Sequence, residues 1–236
     1  MGRETAALTA QVWPNYMVAD SDLPEPGLKF AISPDEFARR FPVWGIRHDQ
    51  TGALVAFLNA VLLHVDLTTV LLPDAGWTFA IQTAGQPSEP NCLCLLAANV
   101  SPSGRGAGLS RLLIERAKQA TRELGFSTMI APVRPTLKAG FPFTAMTDYV
   151  QRRRENGEIF DPWLNLHIQS GGQIANVCSH SVRVRATLAK WREWTGLPLT
   201  TSGDQILPQG LAPLKVDTHR NIGTYIEPGV WLRYSL

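Results

Sequence analysis

The sequence is short of several things, and each shortage removes a class of protein. Its 236 residues hold three cysteines, Cys92, Cys94 and Cys178. That odd count, without framework spacing, excludes a disulfide scaffold and suits a reducing compartment, so a cytoplasmic protein is expected. The longest nearly apolar stretch, Val55 to Val65, is about half of what spans a bilayer. The amino terminus, MGRETAALTAQVW, shows neither the apolar centre nor the cleavage-like end of a signal peptide. Gly2 also lacks the Ser or Thr four residues on that a myristoylation signal needs. A formal charge of +2 is too small to point to nucleic acid or an anionic membrane as partner. The one dense basic run, Arg152–Arg153–Arg154, reads as a solvated helix face.

What the chain does have is core material and an alternating order of elements. With 44% hydrophobic and 18% charged residues it has the composition of a folded protein. No internal repeat or linker divides it, so residues 1–236 are read as one domain. Residues 1–30, rich in proline and weakly patterned, read as an extended lead-in. SPDEFARRF opens with Ser33 as N-cap, Pro34 at the first helical position and Glu36 at the capping-box position. VWGIRHDQTGALVAFLNAVLLHV reads as two strands joined by a turn at Asp49–Gly52. The next forty residues are ambiguous. NCLCLLAANV lacks alternation and reads as a strand buried on both faces. Leu109, Leu112, Leu113, Ala117, Ala120 and Leu124 then recur at helical spacing, with Gly125 as the stop. FSTMIAPV is the next strand, so residues 91–133 form a strand–turn–helix–strand crossover.

Downstream, TAMTDYVQRRREN reads as a helix and DPWLNLHIQSGG as a second, starting at Pro162. A strand near Ile174–Cys178 follows. The helix in ATLAKWREWTG sets Leu188, Trp191 and Trp194 on one side, and the tail is strand-like.

SPSGRGAGLSRLL, at the strand-to-helix turn, carries Gly104, Gly106 and Gly108. Consecutive free N–H groups at a helix start make an anion site, and glycine lets the backbone approach the anion closely. The turn is not a P-loop, because Leu109 and Ser110 follow Gly108 where Lys and Ser/Thr would be needed. Nor is it a dinucleotide fingerprint: counting from Gly104 the last position is Leu109, and from Gly106 it is Arg111.

Ser103-Gly104-Arg105-Gly106-Ala107-Gly108 resembles the pyrophosphate loop of the GCN5-related N-acetyltransferases, Gln/Arg-x-x-Gly-x-Gly/Ala, except that Ser103 replaces the leading Gln or Arg. IAPVRPTLKAGFP, FDPWLNLHIQSGG, WREWTG and YIEPGVW together resemble a little-characterised bacterial branch of that superfamily. The resemblance runs from about Val43 to the C-terminus. It implies an α/β fold with a mixed, mostly antiparallel twisted sheet flanked by helices. It also implies acetyl-CoA or another acyl-CoA as co-substrate, with direct transfer of the acyl group to the amine of a small molecule. Pantetheine would run beside Ala98, Asn99 and Val100, and a backbone N–H near Val100 would meet the oxyanion. The pyrophosphate would take the amides of Arg105, Gly106, Ala107, Gly108, Leu109 and Ser110. The side chains of Arg105 and Arg111 either assist or are solvated.

The family's usual acid, a tyrosine, falls at Ile168 when Asp161-Pro162 is aligned with the start of its motif. His167 beside it titrates near neutral pH when unperturbed and is a candidate base or acid, or else a helix histidine bonded to backbone. Tyr149 is the substitute acid, whereas Asp161 reads as an N-cap. Arg134 and Lys138, in RPTLK, would lie where acceptors approach and hold a carboxylate or phosphate, or else are ordinary surface charge. His64, Asp66 and Glu227 are weaker candidates. Cys92, Cys94, Cys178 and His180 are zinc-compatible in type, but Cys-x-Cys on a buried strand is better read as packing, so no metal is expected. Alternatives of other classes are a non-catalytic acyl-CoA sensor and a protein lysine acetyltransferase. The sequence leaves a homodimer open.

Overall fold

A computed structural model describes residues 2–23, 31–69 and 71–236. Its amino terminus corrects the first expectation: the lead-in carries two helices. Helix α1 spans Gly2–Val12 and α2 spans Asn15–Val18. The prolines that suggested extension lie outside α1, and Pro14 stands at the cap of α2 with φ −60° and ψ 143°. Leu8 of α1 and Tyr16 of α2 are buried, so the segment is anchored by side chains. Residues 24–30 of the same lead-in lie outside the described residues.

Helix α3, Pro34–Arg40, begins as its sequence dictates: the Ser33 side chain accepts from the Glu36 N–H. Strands β1, Val43–Arg47, and β2, Leu54–Leu63, form the expected hairpin. The stretch left ambiguous contains α4, Gly76–Ala84. The crossover follows as read: β3, Cys92–Val100, then α5, Leu109–Glu123, then β4, Thr128–Val133.

The helix expected over TAMTDYVQRRREN shrinks to α6, Met146–Tyr149. Past Tyr149 the chain turns back, with Arg153 bridged to Ile159. Arg152 lies over the rings of Phe141 and Phe160, 4.2 and 5.1 Å from their centroids. Stacking on those aromatic faces competes with helix continuation. The basic run is therefore exposed but not on a helix.

Helix α7, Pro162–Gln169, starts where Pro162 predicts, and Asp161 caps it by accepting from the Trp163 and Leu164 N–H groups. Strand β5, Gln173–Thr187, is far longer than its expected core near Ile174–Cys178. Helix α8, Leu188–Thr195, buries Leu188, Trp191 and Trp194 as its spacing predicts. Strands β6, Gly203–Gln205, β7, Leu214–Asp217, and β8, Ile222–Ser235, finish the chain.

Among the described residues these make one eight-stranded sheet in the order β1-β2-β3-β4-β8-β7-β6, with β5 also on β8. Only β3 and β4 pair in parallel, so the sheet is mixed and mostly antiparallel. Two features of this sheet create the site. The β3–β4 pairing stops after Leu93↔Met129 and Cys94↔Ile130. Beyond that point β3 stays with β2 through Val100 and β4 stays with β8 through Val133, so the two strands splay. In addition, β4 pairs with Val230–Ser235 and β7 with Ile222–Tyr225 of β8, while β5 follows the opposite edge. Ile226–Gly229 is thus unpaired on the β4 side, and Pro228, which has no N–H to offer, falls in that gap.

Apolar side chains fill both faces. Leu113, Ile114 and Ala117 of α5 pack with Leu93, Met129 and Leu232 on one side. Ala80 and Ala84 of α4 pack with Cys92, Cys94, Cys178 and Trp231 on the other. Burial pushes the thiols up, Cys92 to about 12 and Cys178 to about 11, so all three remain protonated packing groups.

Candidate active site

Ser101 leaves β3 and caps a single turn, Pro102–Gly104, by accepting from the Gly104 N–H. Gly106 and Gly108 then take positive φ, 81° and 73°, which an L side chain adopts only under strain. A Cβ built at Gly106 meets nothing within 4 Å, so the space on that side of the loop is open. The amides of Gly106, Gly108, Leu109 and Ser110 find no backbone acceptor among the described residues. These donors converge at the start of α5, where the helix dipole adds its partial positive charge.

The splay and the loop open onto one cleft of about 670 Å³. Ala98, Asn99, Val100, Arg105, Gly106, Gly108, Leu109 and Ser110 all line it, whereas Ala107 does not. Arg105 is exposed, and Arg111 reaches Gln169 at 3.2 Å across the cleft mouth. On β3, Asn59↔Ala97 is followed by Ala60↔Leu95, so Leu96 is an extra residue in the ladder. Such a bulge turns backbone groups away from the neighbouring strand. The Ser101 N–H points to β2, donating to the Val55 carbonyl at 2.8 Å. Because successive N–H groups alternate along a strand, those of Val100 and Ala98 face the open edge.

His167 reaches the same cleft from α7. It is buried, its ring lies edge-on to Trp163 at 4.2 Å, and its Nδ1 is 2.5 Å from the Tyr234 hydroxyl. Its Nε2 has no partner among the described residues. Burial holds its pKa at about 3, so it does not titrate near neutral pH as the sequence suggested.

Two other sequence candidates move out of the site. Tyr149 is buried in the core and donates to Asp161 Oδ2 at 2.9 Å. Burial and then that carboxylate push its pKa well above the usual phenol value, so it is no acid at the cleft. Lys138 is buried beneath the sheet end, with Nζ donating to the carbonyls of Phe141 at 2.7 Å and Leu211 at 2.6 Å. Burial lowers its pKa, and its contacts fasten two loops without facing an acceptor.

Arg134 stays. Its Nε donates to Glu227 Oε1 at 3.0 Å and its Nη2 to the Gln209 carbonyl at 2.6 Å. Burial works against its charge, but Glu227 more than offsets this and raises its pKa. Glu227 is itself buried and accepts from the Tyr225 hydroxyl at 2.6 Å. His64 and Asp66 sit exposed on the loop after β2, away from the cleft.

Sequence reasoning missed Trp13, Tyr225 and Tyr234. Trp13 Nε1 donates to Asn99 Oδ1 at 2.6 Å, and the Arg134 guanidinium lies 5.7 Å from a Trp13 ring centroid. The Leu8–Val12 spacing in the alanine-containing stretch before Trp13 was the available signal.

No family model matches the chain. It is 29% identical over 208 residues to an arginine N-acetyltransferase, AvaD, of Aspergillus versicolor, spanning 78% of this chain and 71% of that protein. Among solved structures, the loading GNAT-like domain of CurA from Lyngbya majuscula superposes with a TM-score of 0.61 at 17% identity, covering 99% of this chain and 92% of that one. The GNAT-like decarboxylase GphF in complex with isobutyryl-CoA gives 0.57 at 21%, covering 99% and 93%. The chain is thus similar in sequence to an N-acetyltransferase and has the fold of the GNAT-like domains. None of its described helices is long and apolar enough to cross a membrane.

Proposed function

We propose that the protein transfers an acetyl or other short acyl group from CoA directly to the amine of a small molecule. The observation that carries this reading is the pairing of the open β3–β4 edge with the bare amides of Gly106, Gly108, Leu109 and Ser110. The pyrophosphate takes those amides, and pantetheine follows the β3 edge toward Asn99. The amine nitrogen attacks the thioester carbon, the N–C bond forms and the C–S bond breaks. The nitrogen's proton ends on the departing sulfur or in water.

The Val100 and Ala98 N–H groups face the edge where the carbonyl oxygen becomes anionic, a placement that favours the transition state over the ground state. His167 lines the same cleft and serves there as a neutral polar group beside the reacting thioester or sulfur. Holding both substrates in line supplies much of the rate.

Arginine, the acceptor named for the fungal relative, is the first amine to test. The experiment is thiol release from acetyl-CoA with a panel of small amines, the acylated product identified by mass spectrometry. Amine-dependent release with an N-acyl product supports the reading. Thiol release that ignores every amine, or an O-acyl product, overturns it. Malonyl-CoA is the control for loss of a carboxylate, given the decarboxylase among the similar folds.

A further inference from the structure

A second recess, of about 160 Å³, meets the cleft at Trp13, Asn99 and Arg134. It occupies the place where β8 lacks a strand on the β4 side, and Glu227, Pro228 and Gly229 form its floor. Met17, Trp77 and Val182 add apolar walls.

Its polar lining comprises Thr9, Asn59 and Ser181 together with Trp13, Asn99, Arg134 and Glu227. Trp13 Nε1 can only donate, so the Asn99 side chain must turn Oδ1 toward it. That leaves Asn99 Nδ2, on a residue only 2% exposed, with no acceptor among the described residues. Arg134 uses Nε and Nη2 within the protein, and no acceptor for Nη1 is found among the described residues. Glu227, the recess's one anion, is already held by Arg134 and Tyr225. Asn99 and Arg134 therefore offer two free donors, one of them cationic, while each oxygen of Glu227 already accepts a hydrogen bond. A guanidinium and an amide side by side suit a group with two anionic oxygens.

We propose that this recess binds the carboxylate of an amino-carboxylic acid acceptor through Arg134 Nη1 and Asn99 Nδ2. The proposal rests on the acyl-CoA reading above and narrows its acceptor class. The Tyr225–Glu227–Arg134 chain orients the guanidinium and engages both oxygens of Glu227. The amine of the acceptor then lies toward the junction with the cleft, where the thioester arrives.

The test is calorimetric and does not depend on turnover. CoA is titrated into the full chain first, and failure to bind it overturns both readings together. The CoA-saturated protein is then titrated with the common L-amino acids, each beside its decarboxylated amine and its carboxamide. At least one amino acid is expected to bind about 30-fold more tightly than both counterparts. Asn99→Asp keeps the oxygen facing Trp13 but sets an anionic oxygen where the amide was. It should weaken that amino acid at least about tenfold and leave the amine no weaker. The double variant Arg134→Gln/Glu227→Gln, which strands no buried charge, should erase the preference while CoA still binds. If CoA binds but amines or carboxamides match the amino acids, or no amino acid binds, the carboxylate site is refuted and the acyl-CoA reading survives.

Discussion

The Tyr234 hydroxyl lies 2.5 Å from His167 Nδ1, and this contact decides what the imidazole can do. The other acceptor near that hydroxyl, the His167 carbonyl at 3.5 Å, is already taken by the N–H groups of Ser170 and Gly172. Tyr234 therefore donates to Nδ1, and the hydrogen of the neutral ring sits on Nε2. Space for the phenol depends on Gly172, where a Cβ would come within 2.8 Å of the Tyr234 ring.

In ¹⁵N spectra of labelled protein, His167 should give the signature of a neutral Nε2–H tautomer at pH 7. Tyr234→Phe should remove that preference. Substituting Gln for His167 should lower kcat about 10²-fold, the scale of losing one transition-state donor, with little change in the KM for acyl-CoA. An imidazolium signal at pH 7, or a kcat unchanged in the variant, would contradict this role.

Burial of His167 also couples stability to pH. Its folded pKa of about 3 lies below the ordinary 6.5, so in that interval the unfolded chain binds the extra proton. Its contribution is complete above pH 6.5 and is lost as the pH falls toward 3. The slope for one proton is about 1.4 kcal/mol per pH unit. Denaturant unfolding between pH 4 and 8 should show His167→Gln with a shallower acid limb than wild type. Parallel limbs would refute the assignment.

Tyr149→Phe separates the core role from the catalytic one. Losing the hydroxyl removes a buried bond to Asp161, which still caps α7 and accepts from the Leu137 N–H. A loss of roughly 1–2 kcal/mol is expected, with kcat/KM within about threefold of wild type. A collapse of kcat without loss of stability would return the phenol to the chemistry.

Lys138→Met should cost more, roughly 2–4 kcal/mol, because the carbonyls of Phe141 and Leu211 lose their shared donor. Acceptor KM should hardly move, provided the assay temperature stays below the variant's unfolding. A raised KM in a variant as stable as wild type would show that Lys138 touches the acceptor after all.

The strand–loop–helix core was legible because its signals are local: glycine spacing, an apolar strand and helical periodicity within 43 residues, 91–133. Asp161 as a cap and Ser33 as a cap were legible for the same reason. Lys138 and Tyr149 were not, since a polar residue five positions beyond a strand, or on a one-turn helix, reads as a site or surface group until Leu211 or Asp161 folds onto it. His167 was found by its place in DPWLNLH, but its lowered pKa depends on Trp163 and Tyr234 packing around it. The second recess depends on contacts such as Trp13–Asn99, 86 residues apart, which no periodicity encodes.

The central claim is that the loop at Gly106 holds the phosphates of an acyl-CoA. It is tested most directly by calorimetric titration of acetyl-CoA into wild type, Gly106→Ala and Gly106→Glu. The alanine variant carries only the strain of a positive φ, about 1–2 kcal/mol, and should bind more weakly. The glutamate adds an anion in the open space beside the free amides and should abolish binding. Wild-type binding that survives in Gly106→Glu would place the cofactor elsewhere and contradict the account.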